Sequence, residues 1–233
     1  MRFQTKKILL PICVVLTILF SLPCRALAVQ QERVVILDAG HGGEDGGAVS
    51  ADGTPESGIN LQITRQLADL MLFMGYDVIL TREGEDAVYS PEATTLREKK
   101  VSDLKNRVEL INEQDNAFVI SIHQNSLPGH PKVHGAKVFY NSVFPAQQAG
   151  VILQAAMNQA VNGEDRPVTP IDGTIYLMKE SSHPAILVEC GFMSNPQESK
   201  RLQDPAYQRR LAVAIAAGYG QFCTNERGRT DEG

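Results

Sequence analysis

Four short runs rich in Val and Ile, separated by longer stretches with apolar residues three and four apart, constrain this chain more than any other feature. The runs cover residues 33–38, 76–81, 117–122 and 185–189, each of strand length and bounded by turn signals. The intervening stretches 59–74, 96–113, 146–162 and 205–221 repeat with a helical period. Gly75 follows the first and Pro205 opens the last, where helices end and begin. Strands alternating with helices predict a single α/β domain of three layers, with a mostly parallel, mixed central sheet flanked by helices. Segments 133–141 and 174–178 are further strand candidates of undefined direction. No repeat and no linker divides the 233 residues, a length that builds a sizeable core without a disulfide scaffold.

The first 28 residues stand apart from this pattern. Arg2, Lys6 and Lys7 precede an uncharged apolar run over residues 8–20, and Ala26-Leu27-Ala28 supplies small residues for a cleavage site before Val29. Residues 1–28 are expected to be a signal peptide, with an uncleaved N-terminal anchor as the alternative. The apolar run is short for a span of about 20 residues. Pro23 argues against acylation of Cys24. Export would leave residues 29–223 as the folded domain and 224–233 as a polar tail expected to fray. The protein would act outside the cytoplasm. Of the four cysteines only Cys190 and Cys223 would remain, and Cys190, in an apolar run, reads as a small buried residue rather than half of a disulfide. The formal net charge is −5, and losing Arg2, Lys6, Lys7 and Arg25 makes the remainder more acidic still. Such a surface excludes nucleic acid and anionic lipid as partners, both of which select basic proteins.

Chemistry-bearing residues recur at strand ends. The run VVILD leads into Ala39-Gly40-His41-Gly42-Gly43, FVISI ends at His123, and AILVE ends at Glu189. In parallel α/β sheets the carboxyl ends of the strands form the edge where ligands bind. Two imidazoles and a carboxylate delivered there fit a metal site or an acid–base site. The glycines around His41 suggest a phosphate loop, but no GxGxxG or GxxxxGK[ST] pattern is present. Glu56, before the helix expected from Ile59, would complete a His-Glu-His set of the kind catalytic zinc sites use. From spacing alone that signal is weak, because a lone glutamate before a helix is usually a surface charge favoured by the helix dipole.

The runs LDAGHGG-x-D-x-GA, TPES, Thr81-Arg82, FVISIHQNS and PAILVECGFMSNPQE, taken in order, resemble the zinc-dependent N-acetylmuramoyl-L-alanine amidases, the family-3 peptidoglycan amidases. The resemblance runs from Arg33 to about Phe222. It implies Zn2+ held by His41, Glu56 and His123, with Glu189 as the catalytic carboxylate. The implied reaction cuts the amide between N-acetylmuramic acid and L-alanine of peptidoglycan. Ala39 stands where the family usually has proline, and Gln124-Asn125-Ser126 vary a small polar stretch. A bare catalytic domain and the charged segment LREKKVSDLKNRVELIN after Arg82 are most similar to the spore-type, germination-specific amidases, which act in cortex maturation. The alternatives are a glycan-cleaving hydrolase pairing Glu56 with Glu189 and a non-catalytic wall-binding domain of the same fold. An activating partner protein is compatible with the sequence.

Other polar residues carry blander readings. His130 and His134, in the loop GHPKVHG, read as solvated, and His183 as capping a strand entry, with substrate contact as its alternative. Asp38 reads equally well as an acceptor orienting His41 and as a turn cap. Asp45 reads as a turn former, and Arg82 and Arg107 as structural ion-pair partners rather than contacts to an anionic stem peptide.

Overall fold

A computed structural model describes residues 33–231, so the expected signal or anchor at residues 1–28 lies outside the described residues. The chain runs β1 (Val34–Ala39), α1 (Glu56–Phe73), β2 (Val78–Leu80), α2 (Leu96–Asn112), β3 (Ala117–Asn125), β4 (Lys137–Tyr140) and α3 (Ala146–Met157). A π-helical turn (Asn158–Asn162) extends α3; β5 (Thr169–Pro170), α4 (Tyr176–Glu180), β6 (Ala185–Phe192), α5 (Pro196–Leu202) and α6 (Pro205–Asp231) follow. Six strands form one sheet in the order β2-β1-β3-β6-β4-β5. Strands β2, β1, β3 and β6 are parallel, and β4 runs antiparallel to β6, so the sheet is mixed as expected.

Alternation along the strands sends side chains into two cores. Val35, Leu37, Phe118, Ile120, Ile186 and Val188 face a layer built from α1, α3 and α6, where Ile63, Leu153, Leu211 and Tyr219 are buried. Ile36, Val119 and Leu187 point the other way, against Val108 and Ile111 of α2 and Leu177 and Met178 of α4. Each fully buried Leu, Ile or Phe contributes about 1.5–3 kcal/mol by leaving water, so the three layers are held chiefly by these two aliphatic faces.

Local signals set the helix starts. Thr95 and Glu98 form a reciprocal capping box at α2. At α5, the Asn195 side chain accepts from the N–H groups of Gln197 and Glu198, with Pro196 in the first turn.

Three elements differ from the sequence expectation. Residues 174–178 are not a strand: Leu177 and Met178 are consecutive yet bury in the same cluster, which a helix permits and a strand's alternation forbids. Strand β5 pairs with β4 at the sheet edge, a place that tolerates Pro170 and its missing N–H. The stretch after residue 223 is not frayed but continues α6 to Asp231. There Arg33 Nη1 donates to Glu226 Oε2 at 2.8 Å, tying the helix to the start of β1. Cys190 is buried, and both Cys190 and Cys223 are free thiols.

Beneath the carboxyl edge of the sheet lies a buried polar network. Arg107 of α2, 2% exposed, donates to Asp38 Oδ1 at 2.8 Å and to Asp103 Oδ2 at 2.9 Å. Thr81 Oγ1 donates to the same Asp38 oxygen at 2.7 Å. Burial opposes ionisation of Asp38, but the Arg107 charge and the Ser121 hydroxyl outweigh it and hold the carboxyl at about 2. Its contribution to stability is therefore full above the unfolded-state pKa near 3.9 and is lost as pH falls toward 2. Arg107→Met should cost about 3–5 kcal/mol, measured by urea denaturation at neutral pH, because it strands a buried carboxylate. That deficit should narrow below pH 4 as Asp38 takes up a proton. A deficit independent of pH would show that lost packing, not the unpaired charge, is responsible.

Candidate metal centre

The loop after β1 carries His41 with φ +61°, a left-handed conformation that is uncommon outside glycine. Two buried arginines hold it there. Arg107 donates to the carbonyls of Ala39 and His41, each at 2.7 Å. Arg82 donates to the carbonyls of Ala39 at 2.9 Å and Ser57 at 2.8 Å. Both arginines are therefore structural; Arg107 forms the ion pairs expected of it, whereas Arg82 bonds to backbone carbonyls instead of a carboxylate.

His41 Nδ1 lies 3.0 Å from Asp45 Oδ2. An ionised carboxylate can only accept at this contact, so the tautomer with Nδ1–H is the one that makes the bond, and that bond keeps the Asp45 carboxyl well below its usual range. This leaves the Nε2 lone pair facing Glu56, whose Oε1 is 3.5 Å away. Asp38 bonds to Thr81 and Arg107 instead, so the residue that orients His41 is Asp45, four positions along. The sequence offered one signal for it, a carboxylate within side-chain reach in a loop otherwise of glycines. Asp45 is also the turn former expected of it, exchanging backbone hydrogen bonds with Gly42 at 2.9 and 3.0 Å.

Glu56 opens α1 and is 3% exposed, not a surface charge. Its Oε1 accepts from Gln124 N at 3.0 Å, Asn60 Nδ2 at 3.1 Å and His123 Nδ1 at 3.1 Å. Its Oε2 accepts from Ala48 N at 2.8 Å. Burial works to raise this carboxyl, yet His123, His41 and the Gln124 amide bring it down to about 2. Glycines make the approach possible. A Cβ on Gly40 would stand 2.3 Å from the His123 ring, and one on Gly47 2.6 Å from Glu56 Oε2. The donor atoms of His41, Glu56 and His123 all lie within 4.8 Å of one another, a group that could hold a metal ion.

Glu189 sits beside this group. It pairs in register with His123 across β6 and β3, so both side chains leave the same face of the sheet. Glu189 Oε2 is buried with no hydrogen-bond partner among the described residues. Burial pushes its pKa up to about 7; the His123 charge opposes this and the Glu56 charge adds to it. A buried carboxyl with a free oxygen beside three potential ligands can take and return a proton near neutral pH.

The remaining histidines lie elsewhere. His183 Nε2 is 2.8 Å from the Gln114 carbonyl, a structural bond at the strand entry. His130 and His134 are exposed and fall outside the cluster of potential ligands.

Residues 35–220 match amidase family 3, described as N-acetylmuramoyl-L-alanine amidase. The germination-specific N-acetylmuramoyl-L-alanine amidase of Bacillus subtilis is 35% identical over 196 residues, covering 83% of this chain and 81% of that protein. The structure of the CwlD amidase from Clostridioides difficile, in complex with the GerS lipoprotein, superposes with TM-score 0.79 at 38% identity, covering 83% of this chain and 99% of that one. The amidase AmiC2 of Nostoc punctiforme superposes with TM-score 0.71 at 28% identity, over 82% of this chain and 97% of that one. With the family matched from β1 into α6 and the family's motif residues gathered at one sheet edge, this chain belongs to the N-acetylmuramoyl-L-alanine amidases of family 3 and is a peptidoglycan amidase.

Proposed function

We propose that the enzyme uses zinc held by His41, Glu56 and His123, with Glu189 as its proton carrier, to release stem peptides from cortex peptidoglycan of spores. The observation that carries this reading is the His-Glu-His group within 4.8 Å beside the partnerless buried Glu189 Oε2. Two imidazoles and one carboxylate suit zinc better than magnesium or calcium, which favour all-oxygen sets. Zinc bound there supplies a Lewis acid that polarises the lactyl carbonyl and brings the acidity of water to near neutral pH.

The chain's own residues do the rest. Asp45 fixes the His41 tautomer so that Nε2 is the donor. Ala48, Gln124 and Asn60 fix the Glu56 carboxylate so that it does not rotate away. Glu189 Oε2 accepts a proton from the attacking water and delivers it to the L-alanine nitrogen as the amide breaks. A paired-carboxylate glycosidase, with Glu189 as the acid and Glu56 as its ionised partner, is disfavoured because it leaves the two histidines gathered around Glu56 without a role.

The spore role draws on the 35% identity to a germination-specific amidase and the 38% identity to the CwlD amidase, which was solved with the GerS lipoprotein. A partner protein that steadies the site belongs to the same reading. So does export by residues 1–28, with action in the cell wall or spore envelope. No helix among the described residues is long and apolar enough to cross a membrane.

Glu189→Gln should keep zinc and slow hydrolysis by about two to four orders of magnitude, read by metal analysis and by mass spectrometry of digested muropeptides. Loss of zinc in that variant would make Glu189 a ligand and overturn the division of roles. His41→Ala or His123→Ala should abolish zinc uptake, and full metal content in both would sink the site.

Gly40→Ala tests the approach of His123. Its Cβ must displace the imidazole, so zinc affinity should fall at least about tenfold, since losing even ~1.4 kcal/mol does that. The thermal midpoint should move little, as the site is at the rim of the core. Unchanged affinity by competition with a chelating dye would show that the ring has room to move.

A further inference from the structure

Charged side chains flank the carboxyl edge of the sheet on both sides. On the β1 side, Gly43 N donates to the Glu85 carbonyl at 2.7 Å, bringing the exposed, acidic stretch of Glu83, Glu85 and Asp86 up against the His41 loop. On the β6 side, a cleft of about 440 Å3 opens between the β3–β4 loop and α5, lined by Lys132, His134, Asn195 and Arg201 among others. Neither Lys132 nor Arg201 is paired with a carboxylate among the described residues. Arg201 is held rather than free, its guanidinium 4.4 Å from the centre of the Tyr207 ring.

The cleft wall is built from inside. Glu198 is 4% exposed and its two oxygens accept from Gly135 N at 2.8 and 3.0 Å and from Phe192 N at 2.8 Å. Gly191 leaves it room, since a Cβ there would stand 2.8 Å from the Glu198 carboxyl carbon. One buried carboxylate thus fixes the loop that carries Lys132 and His134 to the end of the strand that carries Glu189. Met193 N donating to the Asn125 carbonyl at 2.7 Å joins the same corner to the His123 strand. Glu198 itself is spent on backbone amides, so the charge the cleft offers a ligand is positive.

We propose that this cleft is the subsite for the free carboxylates of the stem peptide, reading the acidic peptide on the leaving side of the scissile bond. The proposal rests on the amidase reading. Asn195 follows Glu189 by six residues, at most about 20 Å of chain. A stem of four or five extended residues reaches about 13–18 Å, close to that upper bound.

The test uses the full chain and two free tetrapeptides, L-Ala-γ-D-Glu-meso-diaminopimelate-D-Ala and its counterpart with the side carboxylates amidated, in calorimetry at low salt. The protein should prefer the carboxylated peptide, and added salt should erode that preference. Lys132→Gln/Arg201→Gln should weaken binding of the carboxylated peptide by roughly tenfold and leave the amidated one unchanged. Both positions are exposed, so the variant should fold, and Lys132→Gln alone should give a smaller change of the same sign. Equal affinity for the two peptides, no binding by the parent protein, or an unchanged preference in the double variant would overturn the subsite. On intact muropeptides the double variant should raise KM and retain kcat. Failure of the parent protein to cut muropeptides would instead strike the amidase mechanism and leave the calorimetric result standing.

Discussion

The site depends on how two buried arginines hold the loop after β1. Backbone carbonyls at a strand end ordinarily seek amide partners, and a histidine at φ +61° has none in regular structure. Arg107 and Arg82 bring several N–H donors each in a rigid plane, and they take the carbonyls of Ala39, Gly40 and His41. The strain of the loop is thereby offset by bonds from α2 and from the end of β2. Asp38 balances the charge that this brings into the interior. Lysine could not replace either arginine, because one ammonium cannot span three acceptors in different directions.

Once the loop is fixed, Glu56 becomes the point where the two halves of the site meet. It receives an amide from its own loop through Ala48, an amide from β3 through Gln124, and the His123 ring. These donors come from the loop after β1 and from β3, so the carboxylate at the start of α1 depends on correct packing of all three segments. Glu189 is the opposite case. It is left without such bonds, and burial then makes its proton labile near neutral pH. Two carboxylates in one site are thus pushed apart in acidity, Glu189 by burial and Glu56 by its hydrogen bonds and the neighbouring histidines, which separates a holding role from a proton-carrying one.

The alternation of apolar runs and amphipathic stretches determined the α/β class, the four central strands and the four long helices, because burying one face of each is the dominant favourable term in folding. Motif order likewise determined which residues belong at the reactive edge, since every parallel strand must deliver its carboxyl end to the same side. Short elements escaped this reading. Residues 174–178 carry too few positions to distinguish periods of two and 3.6, and β5 is two residues including a proline. The helical run past residue 223 is tied by Glu226 to Arg33, just before β1, a contact that no local pattern contains.

What only the tertiary structure decided are the pairings between residues distant in sequence or ambiguous in type. Composition could not tell whether Asp38 or Asp45 orients His41, because both lie within reach of it along the chain. Packing decided it: Asp38 points beneath the sheet to Arg107, 69 residues away, and Asp45 curls back in a glycine turn. Nor could spacing show that Glu56 is buried, that Arg82 and Arg107 bind carbonyls, or that Glu198 fixes the cleft wall. Side-chain type and local period are properties of the chain, and they specify elements and edges. Burial, hydrogen-bond partners and acidity depend on which surfaces come together, and those exist only once the layers have packed.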